Sequence, residues 1–163
     1  MSANIITITL VTFLHDLFTA AWVGGLILLG LSALPAMKKV LGGRPEMRQV
    51  MSAIQRRHRI VVYISIFGLL LTGLLQSRRA TNFEGLFSTA NPYAAALTVK
   101  HIFVLLMIAV ALYRSLVLGR GSGPRSAAQE RLNGVLLYLN MILGVLVLLV
   151  SGYVTALGLA LAV

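Results

Sequence analysis

Four apolar runs, at about 6–34, 54–76, 94–118 and 132–161, dominate this chain, and polar residues break each of them at only a few positions. A helix rises about 1.5 Å per residue and needs about 20 apolar residues to cross a hydrocarbon core. Every run meets that length, and none alternates polar and apolar residues as a barrel strand would. The pattern predicts an all-α integral membrane protein. Short polar connections make successive helices antiparallel neighbours, so the expected architecture is an up-down four-helix bundle forming one domain over 1–163.

The connections carry their own patterns. In the first, Pro45 and Glu46 suit an opening helical turn, and Met47, Val50, Met51, Ile54 and His58 follow at i, i+3, i+4 and i+7 spacing. This predicts an amphipathic cytoplasmic extension of helix two, with Arg48, Gln55 and Arg56 facing water or headgroups. The second connection, 77–93, sets Phe83, Phe87 and Tyr93 among small polar residues, as expected at an outer interface, and Asn91-Pro92 marks the stop before helix three. The stretch GRGSGPRS, at 119–126, reads as a flexible connector. Small residues four apart (Ala20 with Gly24, Ala21 with Gly25, and Gly152 with Ala156 and Ala160) predict close helix packing within the bundle.

Composition agrees with the pattern. Of 163 residues, 58% are hydrophobic and 11% charged, and the mean hydropathy is +0.91. The net charge of +10 does not point to nucleic acid, because the basic residues lie between the apolar runs. Seven flank or occupy the first connection (Lys38, Lys39, Arg44, Arg48, Arg56, Arg57, Arg59) and four the third (Arg114, Arg120, Arg125, Arg131). The second has Arg78, Arg79 and Lys100. Positive charge collects on the cytoplasmic side, which predicts both termini outside and contacts with anionic lipid. The expected location is multi-pass in a prokaryotic plasma membrane. With no cysteine, disulfides and thiolate ligands are excluded. The opening MSANIITITL lacks the basic n-region of a signal peptide, so the first run is expected to remain as a helix.

The chemistry lies in the ionisable residues inside the spans, which are costly there and mark functional sites. His15 sits about nine residues into helix one, roughly 13 Å, and His101 about seven residues into helix three, roughly 10 Å. Both helices enter from outside, so the two imidazoles are expected at similar depth in the outer half of the bilayer. Imidazoles on two bundle helices can ligate a metal or hold a b-type haem. Hydrogen bonding to a neighbouring helix is the simpler role for each. Asp16 and Lys100 adjoin these histidines and could pair across the bundle or serve a haem propionate, a quinone or a proton; Lys100 could instead snorkel outward. Trp22 lies near mid-span, where it can pack in the core or against a cofactor. Tyr63, Tyr113, Asn140 and Tyr153 are expected to hydrogen-bond between helices, and His58 to join the interfacial basic cluster. No phosphate loop, catalytic triad, paired carboxylates or zinc motif is present, so hydrolytic chemistry has no visible machinery.

A resemblance adds to this reading. His15 followed by Ala21-Trp22-Val23-Gly24-Gly25 and Leu34-Pro35 resembles the start of the copper-resistance protein D (CopD)-like membrane domain. Arg57-His58-Arg59-Ile60, Leu71-Thr72-Gly73, Thr89, Tyr93, Leu97-Thr98-Val99-Lys100 and Arg114 continue it over most of the chain. The same pattern is similar to the HemJ-type protoporphyrinogen oxidases, in which a helix-one histidine and a helix-three lysine recur; His15 and Lys100 match them. The chain departs from that pattern in Ala111-Leu112-Tyr113-Arg114, where a late histidine is absent, and in Asn133-Gly134.

The resemblance implies a four-helix membrane fold and either copper handling or haem b. The leading expectation is therefore a membrane-embedded haem b electron-transfer protein or subunit of a larger redox complex. His15 and His101 would be metal ligands, with Asp16, Lys100 and Trp22 around the cofactor. Copper handling or transport and a cofactor-free assembly subunit remain the rivals, and a quinone at the outer interface is compatible with the first and last readings.

Overall fold

The computed structural model describes residues 3–42, 44–77, 85–119 and 126–160. Among them every regular element is helical. The helices are α1 (Asn4–Leu41), α2 (Pro45–Ser77), α3 (Pro92–Leu116) and α4 (Ala127–Ala160), each long and apolar enough to cross a membrane. Arg78, Arg79, Phe83, Arg120 and Arg125 lie outside the described residues. The chain divides into two compact units, Met1–Gln76 and Ser77–Val163, each holding one helix pair.

Large apolar side chains such as Phe13, Leu31, Phe67 and Leu149 are exposed along all four helices. Water would penalise such a surface, whereas lipid solvates it. At 33 residues α2 is about 50 Å long, well beyond a hydrocarbon core of about 30 Å, so an end must project from it.

Helix boundaries follow local chemistry. Proline normally clashes with the carbonyl one turn back, yet Pro35 lies within α1. The wide π-helical turn over Leu28–Ala33 directly precedes it and loosens the ladder where the clash would fall. A second π-helical turn, Ala20–Gly24, follows Thr19, whose hydroxyl donates to the His15 carbonyl at 2.8 Å. The helix ends at Gly42, whose φ of 56° favours glycine and whose N–H donates to the Lys38 carbonyl.

α3 begins at Pro92, two residues before the expected start. Asn91 is its N-cap, accepting from the Ala94 N–H at 2.7 Å, and Pro92 takes the first helical position. α4 begins five residues earlier than expected because Ser126 and Gln129 form a reciprocal capping box: Ser126 N–H to Gln129 Oε1 at 3.0 Å, and Gln129 N–H to Ser126 Oγ at 3.2 Å. Asn91→Ala is expected to destabilise the protein by about 1 kcal/mol. Thermal unfolding in detergent, with Asn91→Ser as the retained-cap control, measures it.

In the first unit, contacts of His15 with Thr72, Phe18 with Gly68 and His58 with Gly25 run in opposite chain directions, so α1 and α2 are antiparallel. In the second, Arg114 with Asn133 and Tyr93 with Gly158 establish the same for α3 and α4. The buried residues Asn133, Leu137, Asn140, Gly144 and Val147 of α4 follow alternating steps of four and three, and Val154 continues the seam one heptad on, with Leu143 buried beside it. Gly152, Ala156 and Ala160 fall off this seam and are exposed, so they do not supply packing within the pair.

Candidate functional site

His15 is half-buried on α1, and its Nδ1 lies 2.8 Å from Thr72 Oγ1 on α2. The Thr72 hydroxyl also lies 2.6 Å from the Gly68 carbonyl. A hydroxyl has one proton, and a carbonyl has none to share. Two oxygens that close require Thr72 to donate to Gly68. Thr72 must then accept from His15, which places the His15 proton on Nδ1 and the lone pair on Nε2. Thr72 is itself buried, so this arrangement is held away from solvent.

His101 reaches the same state by another route. Its Nδ1 lies 3.0 Å from the Leu86 carbonyl, so Nδ1 must donate and Nε2 carries the lone pair. The segment before α3 is tied down around it: Thr98 donates to the Ser88 carbonyl at 2.7 Å, and the Phe87 ring meets the imidazole edge-on at 6.3 Å between centroids. The hydroxyl and carbonyl holding the two imidazoles are 57 and 15 residues away in the chain. Spacing carries no sign of such partners.

The neighbours expected around the histidines have distinct settings. Asp16 is exposed on α1, consistent with the turn of about 100° between consecutive helical residues. Lys100 is half-buried on α3. Trp22 is 2% exposed within the Ala20–Gly24 π-helical turn, and its indole N–H has no hydrogen-bond partner among the described residues. Tyr113 and Tyr153 are exposed.

Two residues behave differently from their sequence reading. His58 does not turn outward with the neighbouring arginines; it is half-buried with its ring against Gly25, where a Cβ would come within 2.9 Å of Nδ1. A glycine near the level of a histidine on an antiparallel helix was the available signal. Asn133, which carried no expected role, is buried and accepts from Arg114 Nε at 3.1 Å, closing the ends of α3 and α4 together. Among the described residues no three His, Asp or Glu side chains converge as a metal cluster.

No family model, curated protein or solved structure matches the chain.

Proposed function

We propose that the chain is a membrane-embedded, b-type haem-binding electron-transfer protein, or such a subunit of a larger membrane redox complex. One observation carries the reading: His15 and His101 each donate Nδ1–H to a protein oxygen, leaving the lone pair on Nε2. That is the state in which an imidazole ligates iron, and the hydrogen bond behind the ring orients it and raises its basicity. Each imidazole taken by itself is thus suited to ligate a haem iron, and His15 and His101 are the proposed ligands. When bound, the haem supplies a one-electron carrier.

The chain's own residues provide the rest. Thr72 and the Leu86 carbonyl hold the two imidazole protons in place, and Phe87 restricts the His101 ring. Asp16 and Lys100 set local charge and proton access, and Trp22 lines the cofactor side of α1. The proposed setting is a prokaryotic plasma membrane, with both termini outside and the 45–54 stretch of α2 as an amphipathic cytoplasmic extension.

The test is an optical spectrum of protein purified from a haem-replete host, before and after dithionite. A Soret band and a sharpened reduced α band are expected, and His15→Leu and His101→Leu should each abolish the wild-type pair of bands. Absence of both bands from the wild type overturns the reading. Copper retained without haem would move the assignment to the copper handling that the CopD resemblance implies.

A further inference from the structure

Asn140 sits at the seam position of α4 two turns beyond Asn133 and is 1% exposed. Among the described residues, neither Oδ1 nor Nδ2 has a hydrogen-bond partner. Hydroxyls elsewhere in the span solve this problem within their own helix: Ser151 donates to the Val147 carbonyl at 2.7 Å and Thr155 to the Ser151 carbonyl at 3.0 Å. An amide carries two donors and an acceptor, and the helix ladder leaves no backbone N–H for the acceptor. The helix opposite does not help. The Arg114–Asn133 bond and the Tyr93–Gly158 approach set an antiparallel register that brings Asn140 level with Met107, itself 1% exposed. A thioether is at most a weak acceptor, and Val104, Ile108 and Ala111 around it have no polar side-chain atom.

We infer that Asn140 is a binding site for a hydroxyl group within the second helix pair. A single hydroxyl accepts from Nδ2–H and donates to Oδ1, so one small group satisfies both orphaned atoms. Two sources share that chemistry: an internal water, and the phenolic hydroxyl of a hydroquinone. The water source stands independently, whereas the hydroquinone source rests on the electron-transfer reading and would place the electron donor at Asn140.

Solid-state NMR of the full, haem-free chain in lipid, with asparagine labelled by ¹³C and ¹⁵N and methionine by ¹⁵N, distinguishes them; Asn140–Met141 is the one Asn-Met pair in the sequence, so its carbonyl-to-nitrogen correlation assigns the signal in the wild type. Cross-peaks from the Asn140 amide to water, unchanged by added decyl-benzohydroquinone, establish the water site. Cross-peaks to the phenolic protons establish the hydroquinone site, with saturable binding that Asn140→Leu weakens up to about tenfold, the worth of one hydrogen bond. An amide contacting only aliphatic protons, with or without hydroquinone, overturns the inference. That result is read on the wild type, so it survives misfolding of the variant, and without haem, so it is separate from any failure of the haem spectrum.

Discussion

Thr72→Val is expected to weaken haem retention by about 10–100-fold while leaving the helices intact. Valine keeps the shape of threonine but cannot accept from His15 Nδ1–H, so the imidazole loses the group that fixes its tautomer and its rotation. The Gly68 carbonyl also loses its contact with the Thr72 hydroxyl but keeps the helix ladder, so the damage should centre on His15. Thr72→Ser retains the hydroxyl and should recover most of the affinity. Haem titration followed at the Soret band gives the affinities. The ¹⁵N shifts of His15 in haem-free protein report the tautomer directly: protonated Nδ1 in the wild type and the serine variant, and a shift towards protonated Nε2 in the valine variant. Unchanged tautomer and unchanged affinity in Thr72→Val would remove Thr72 from the site.

The second large effect concerns three glycines in the first helix pair. The Phe18 ring fills the space beside Gly68, with Cζ 2.6 Å from where a Cβ would stand, and the His58 ring does the same at Gly25. At Gly73 the nearest atom, His15 Cε1, is 3.7 Å away, an ordinary contact. Gly68→Ala and Gly25→Ala should therefore each destabilise by about 1–3 kcal/mol through overpacking. Gly73→Ala should be neutral or stabilise by up to about 1 kcal/mol through helix propensity. Denaturation in detergent would rank the three. Combining Gly68→Ala with Phe18→Leu should recover part of the loss, because the shorter side chain vacates the contested space; strictly additive losses would contradict the contact.

These contacts also explain why the small residues of the first run have unequal roles. Gly25 receives a ring, whereas Gly24, at the other small-xxx-small position, has no atom near its missing Cβ. The motif marks possible close approach without naming the helix face that uses it. A π-helical turn at Ala20–Gly24 further shifts the face from ideal periodicity.

The number and type of the helices were legible in the sequence because crossing a membrane depends on length and apolarity, both additive along the chain. One start was legible because its cap is local: Asn91-Pro92 marks the entry to α3. The Ser126–Gln129 box also acts within a single turn, yet an expectation built on apolarity alone placed the start of α4 at 132, past the polar turns that the box opens. The partners of the polar side chains were not legible. A soluble helix reveals its buried face by polarity, but a span that is apolar all round does not, since lipid and helix neighbours accept the same side chains. The rotation of each helix, and hence Thr72 beneath His15, Gly25 beneath His58 and no partner among the described residues for Asn140, was decided only by tertiary packing.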